Sequence, residues 1–128
     1  VLDRLMSECD VVFHLAAAVG VELIVQDPVH VIESNIFGSH AVLSTARRYR
    51  RKVLIASTSE IYGKTDKAPF HEEDDRLLGP TTKARWSYST SKAVDEYLGL
   101  GAGTDFDRKI LVKRRAPELL EAAFRKRS

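Results

Sequence analysis

Tyr88 and Lys92 close the run Tyr88-Ser-Thr-Ser-Lys92, so on a helix both side chains leave one face and the ammonium can reach toward the phenol. That pairing suits proton transfer. A free phenol ionises near pH ~10, and acting as a base near neutral pH needs about three units of depression, roughly 4 kcal/mol. A neighbouring cation acts in that direction. Upstream, the Thr58 hydroxyl in Ser57-Thr58-Ser59 could hydrogen-bond the same substrate oxygen and complete a proton path. Small residues, Ala16-Ala17-Ala18, form a third feature. Each has a plain structural explanation. A Tyr and a Lys at this spacing usually mark a solvated helix face, and short hydroxyl side chains after a strand usually bond nearby backbone in a turn. What points to a site is their occurrence together and in this order.

The elements that must position these residues follow from periodicity. Val1 to Met6 reads as the end of an amphipathic helix. Asp10-Val-Val-Phe-His-Leu-Ala-Ala17 is a short continuous apolar run, the pattern of a strand buried on both faces in a parallel sheet covered by helices. From Asp27-Pro28 to about Arg51 the apolar positions recur at helical spacing, with Asp27 as N-cap and Pro28 at the first helical position. The basic side chains Arg47, Arg48, Arg50 and Arg51 fall in its last turn, where the helix dipole favours positive charge, so they need no ligand. Lys52 to Ser57 is a second buried strand, and strand, helix, strand implies a right-handed parallel crossover. The expected fold class is α/β, part of a doubly wound parallel sheet of Rossmann type. In such sheets ligands bind beyond the carboxyl ends of the strands, where the alanines and hydroxyls would lie. A polar loop of about twenty residues, Gly63 to Lys83, should be functional or disordered. A helix from Trp86 or Ser87 to about Leu100 is expected to be stopped by Gly99, Gly101 and Gly103. Ile110-Leu111-Val112 offers a short strand, and residues 117 to 127 a short helix.

Composition bounds the rest. The chain of 128 residues has 44% hydrophobic and 30% charged side chains and a net charge of +2, an ordinary globular profile of one domain at most. A lone Cys9 excludes a disulfide scaffold and fits a reducing, cytoplasmic setting. There is no stretch apolar enough to span a membrane and no secretory signal pattern, so no membrane association is expected. The four histidines, His14, His30, His40 and His71, lack ligand spacing, so no metal is expected, and His14 reads as a satisfied core histidine. Residues 104–128 hold 8 basic and 4 acidic side chains, against 12 and 14 before them. This divides the chain into a partial α/β domain, 1–103, and a basic tail, 104–128. Only Phe106 and Phe124 could support base contacts there, so no nucleic-acid partner is expected; such an arm would give salt-sensitive binding lost with the tail.

Four segments, in order, resemble the extended short-chain dehydrogenase/reductases, specifically the NAD-dependent nucleotide-sugar epimerase, dehydratase and decarboxylase group. They are Asp10 to Ala17, Asn35-Ile-Phe-Gly38, Leu54-Ile-Ala-Ser-Thr-Ser-Glu-Ile-Tyr-Gly63, and Gly79-Pro-Thr-Thr-Lys-Ala-Arg-Trp-Ser-Tyr-Ser-Thr-Ser-Lys92. The resemblance covers residues 1 to 100. It implies a chain that acts on a nucleotide sugar, with UDP the expected nucleotide, through transient oxidation at sugar C4 by NAD. Tyr88 would be the base, Lys92 would lower its pKa and hold the nicotinamide ribose, and Thr58 would be the hydroxyl partner. Leu15, Ala16 and Ala17 would line the cofactor and Asn35 would sit near it, although an Asn there could equally bond neighbouring helix backbone. Thr58 and Ser59 would contact substrate. A carboxylate at Glu60 looks closest to the sugar-nucleotide decarboxylases, where it assists chemistry after oxidation, although similar wording occurs in 4-epimerase-like members.

The family's opening strand and its G-x-x-G-x-x-G turn, which seats the pyrophosphate on a helix N-terminus, have no counterpart in these residues. The chain is therefore expected to begin within the cofactor domain, with low or absent activity by itself. Its strand at 10–17 would present an unpaired apolar edge, which invites pairing with another chain. A homodimer, or a noncatalytic remnant acting only through such pairing, is the alternative that edge raises.

Overall fold

The computed structural model describes residues 1–66, 69–104 and 110–113, with the side chains of 103, 104 and 110–113 left aside. The chain runs α1 (Leu2–Glu8), β1 (Val11–His14), α2 (Val21–Gln26), α3 (Pro28–Tyr49), β2 (Lys52–Ala56), a 3-10 turn (Ser59–Tyr62), α4 (Trp86–Thr104) and β3 (Ile110–Lys113). The three strands form one parallel sheet in the order β1-β2-β3. Val12 lies beside Val53 and His14 beside Ile55, so side chains at these positions share a face. The fold is the α/β, Rossmann-like arrangement that alternating strands and helices imply.

One core joins that face to the helices. Met6 of α1, Leu43 and Ala46 of α3, and Val53 and Ile55 of β2 are buried together, with Val12, Leu98 and Ala102 packed against them. The opposite face is different at β1, where Val11 and Phe13 remain 44% and 50% exposed. The expectation of a strand buried on both faces is thus corrected: among the described residues β1 is covered on one side. It is also shorter than the apolar run: its pairing with β2 ends at His14 beside Ile55, and Leu15 to Ala17 lie beyond it.

Local chemistry explains the helix ends. The Asp27 carboxylate accepts from the His30 N–H at 3.0 Å and Pro28 supplies the first helical position of α3. At the other end Arg50 takes a left-handed conformation (φ 53°), and the Arg51 guanidinium donates to the carbonyls of Met6 and Ser7, closing the last turn of α1. Arg48 pairs with Asp3. The basic run is thus engaged within the fold.

α4 continues through Gly99 and Gly101 to Thr104, past the stop that the glycines suggest. A helix-interior glycine costs about 1 kcal/mol relative to alanine, and packing of Leu98 and Ala102 into the core offsets it. The segment after Tyr62 is not free of structure either. Leu77 donates to the Tyr62 carbonyl and accepts from Lys64, tying the loop back on itself. Gly63 (φ +67°) is needed there, since a Cβ would lie 2.3 Å from the Leu77 oxygen. The helix expected over 117–127 lies outside the described residues. No helix among the described residues is long and apolar enough to cross a membrane.

Candidate active site

The carboxyl end of β1 leads into the small-residue segment, which is fixed from behind by Asn35. Its Oδ1 accepts from the Ala18 N–H at 2.7 Å, while Nδ2 donates to the Ala18 carbonyl at 3.3 Å and to Ser91 Oγ at 3.1 Å. Ser91 in turn donates to the Tyr88 carbonyl at 2.8 Å. Asn35 therefore bonds backbone seventeen residues away rather than its own helix, and joins the alanine wall, α3 and α4. At 2% exposure its amide is spent on that joint.

Tyr88 is 7% exposed and packs with Ile24, Val31, Ala17 and Ala18, so α2, an element that sequence periodicity did not announce, forms part of its wall. Beside it opens a cleft of about 340 Å³ lined by Val21, Ile24, Val25, Glu60 and Arg85. Arg85 lies 4.6 Å from the centre of the Trp86 ring. Trp86 is itself lodged against Gly79, where a Cβ would meet its Nε1 at 2.2 Å. The cleft thus has one apolar wall and two opposite charges. Arg85 is a residue that sequence reasoning passed over; its place directly before Trp86 in the shared motif was the available signal.

The hydroxyl cluster is partly engaged. Thr58 Oγ1 accepts from the Glu60 N–H at 3.2 Å, capping the 3-10 turn, and keeps its proton for another acceptor. Ser57 donates to Glu96 of α4 at 2.5 Å. Ser59 and Glu60 are exposed, as are Leu15 and Ala16 at the end of β1, and Ala17 is half-buried.

The pair read from the sequence is arranged unexpectedly. Lys92 is 2% exposed and its Nζ lies 3.0 Å from Asp95 Oδ2, itself 1% exposed. Tyr88 is held above the usual phenol range, first by burial and then by the carboxylates of Glu60 and Asp95. Lys92 is not among the causes of that shift; its ammonium pairs with a carboxylate three residues on. Nearby, His14 Nε2 meets Ser39 Oγ at 3.0 Å, and burial, then the Lys92 charge, push its pKa down while Asp95 pulls it up. The imidazole is a satisfied core histidine. Asp95 Oδ1 is buried without a hydrogen-bond partner.

No group of three His, Cys, Asp or Glu placed to hold a metal ion occurs among the described residues. Tyr88 lies against the small residues Ala17 and Ala18, while the Lys92 ammonium is held by Asp95.

The family model described as GDP-mannose 4,6 dehydratase matches residues 1–108. The chain is 46% identical over 100 residues to a UDP-N-acetyl-alpha-D-glucosaminuronate decarboxylase of Bacillus cytotoxicus, covering 78% of this chain and 31% of that protein. Among solved structures it resembles the PbgP3 protein of Burkholderia pseudomallei, with 27% identity, TM-score 0.77, and 81% and 31% of the two chains covered. It also resembles the UDP-glucuronic acid 4-epimerase of Bacillus cereus in complex with UDP-glucuronic acid and NAD, with 26% identity, TM-score 0.74, and 88% and 34% covered. The chain spans about a third of the length of these relatives.

Proposed function

The chain belongs to the GDP-mannose 4,6-dehydratase family, within the NAD-dependent epimerases and dehydratases of nucleotide sugars, and from that premise we propose that it carries the nicotinamide and sugar half of a C4-oxidising site. NAD, when bound, supplies the hydride acceptor. Tyr88 would take the proton of the sugar 4-hydroxyl, the Thr58 hydroxyl would donate a hydrogen bond to the same oxygen, and Lys92 would hold the nicotinamide ribose. Leu15, Ala16 and Ala17 form the wall the dinucleotide lies along, and Asn35 keeps that wall in place from behind.

The finer reading is an acid sugar, with Thr58 and Ser59 toward the substrate. Its carrying observation is the cleft that Arg85 and Glu60 line together with the apolar residues Val21, Ile24 and Val25, Ile24 being shared with the wall of Tyr88. A guanidinium matches a sugar carboxylate. Once C4 is a ketone, a carboxyl on C5 is a β-keto acid: CO2 leaves, the electron pair passes to the C4 oxygen, and C5 is reprotonated. Glu60, which lines the cleft, would move that proton. The 46% identity to a uronate decarboxylase supports decarboxylation over epimerisation.

The reading is tested by titrating the 128-residue chain with NAD+ and with nicotinamide mononucleotide, following the fluorescence of its single tryptophan, Trp86, two residues before Tyr88. Because these residues include no glycine-rich pyrophosphate turn, both ligands should saturate with similar, millimolar affinity, and Lys92→Met should abolish the response. Absence of a saturable response to either ligand overturns the proposed nicotinamide site.

A further inference from the structure

We propose that Asp95 is a positioning residue that holds the Lys92 ammonium at a parking station on α4, one turn away from the place where it would serve Tyr88. This rests on the reading of Tyr88 and Lys92 given above and deepens it. Lys92 and Asp95 lie at i and i+3 with Nζ and Oδ2 3.0 Å apart, and both side chains are almost wholly excluded from water. A buried ammonium must keep a partner, so it can leave Asp95 only for an alternative of similar quality.

Three considerations favour a second station for the ammonium, toward Tyr88. Side chains on a helix lean toward its N-terminus, so the direction Lys92 takes by default is back toward residue 88, and its forward bond to Asp95 is the arrangement that needs a reason. Asp95 is that reason, since its carboxylate is as buried as the ammonium. Its other oxygen, Oδ1, has no hydrogen-bond partner, so the carboxylate is held by one strong bond rather than locked in a network. Finally, Tyr88 is shifted upward by burial, Glu60 and Asp95, the direction expected of a phenol whose cation is engaged elsewhere. Ribose hydroxyls or a developing phenolate would compete with Asp95 for Lys92, so the base would become active only when the site is filled.

The charged groups around this switch come from three elements: His14 on β1, Glu60 in the 3-10 turn, and Lys92, Asp95 and Tyr88 on α4. A purely structural counter-ion and a positioning residue differ in what they do to the phenol. In the 128-residue chain labelled with 13Cζ-tyrosine, the Tyr88 resonance, assigned with Tyr88→Phe, is titrated in four forms: unaltered, Asp95→Asn, Lys92→Met and the double variant. Release of Lys92 by Asp95→Asn should lower the Tyr88 midpoint by at least one pH unit, a tenfold gain in phenolate, and Lys92→Met in that background should return most of the change. An equal fall with or without Lys92 reduces Asp95 to a through-space charge and overturns the proposal. A second measurement stands independently of how the variants fold: in the unaltered chain, scalar coupling between Lys92 15Nζ and Asp95 13Cγ must be present without ligand, and its absence overturns the parking station. Neither readout depends on cofactor binding, so failure here is distinct from failure of the nicotinamide titration.

Discussion

On β1, Val12 and His14 face the helices while Val11 and Phe13, one residue away along the same strand, face the other side, and the two sets share neither burial nor chemistry. Val12 packs against the core that contains Met6, Leu43 and Ile55, and His14 is 8% exposed with its ring bonded to Ser39. Val11 and Phe13 are apolar side chains left about half exposed. A strand with apolar residues on both faces belongs to a sheet covered on both sides. At β1 the stability of the described structure should therefore come from one face, whereas at β2 Leu54, the partner of Phe13 on the other face, is buried as well; the chemistry comes from the ends of the strands.

The largest break in that comparison should come from Ile55→Ala. Ile55 is fully buried between α1, α3 and the sheet, and truncating such a side chain costs about 2–5 kcal/mol through lost transfer energy and the cavity left behind. Urea unfolding followed by circular dichroism should show a midpoint shift of that size. An effect below about 1 kcal/mol would mean that the helix-covered face is not the main source of stability.

Acid should act on the same face through His14. Burial, and secondly the Lys92 ammonium, hold its folded pKa below the ordinary 6.5, while in the unfolded chain it titrates at that value. As pH falls through 6.5 the unfolded chain takes up a proton the folded chain refuses, so this contribution to stability is present above that pH and is lost progressively below it. His14→Gln, which keeps a polar partner for Ser39 without titrating, should flatten the acid side of the stability profile. A profile unchanged by that substitution would assign the acid sensitivity to other groups.

How much of this was legible in the sequence differs by element. α3 could be bounded closely because its signals are local: Asp27 and Pro28 begin it and the arginines of its last turn end it. The end of α4 could not, because Gly99 and Gly101 are local stop signals and the packing of Leu98 and Ala102 that overrides them is tertiary. β1 was legible as a strand but not in length, since the apolar run continues to Ala17 while the pairing with β2 ends at His14. At the site, the spacing of Tyr88 and Lys92 placed them on one helix, but spacing alone did not rank Asp95 as a competitor for the ammonium. Within Ala-Val-Asp-Glu-Tyr it reads as a surface acid, and only its 1% exposure makes it a strong one. α2 escaped notice for a related reason: six residues are too few to show a helical period, and its role as the wall of Tyr88 exists only once the chain has turned back.

The smallest expected effect is the sharpest test of the comparison. Phe13 is an aromatic residue in a strand, and by type alone its replacement should be as damaging as that of Ile55, since removing a buried phenylalanine costs about 3–5 kcal/mol. Its half-exposed ring stands on the uncovered face instead, and surface substitutions away from special features stay within about 0.5 kcal/mol. Phe13→Ser should therefore leave the urea midpoint nearly unmoved and preserve the response to pH, because His14 lies on the other side of the strand. It should also raise the concentration at which the chain stays in solution, since a bare apolar face beside an unpaired strand edge is where chains stick together. If Phe13→Ser instead unfolds the chain, the second face has cover that carries energy, and the division between the two faces of β1 fails at its clearest point.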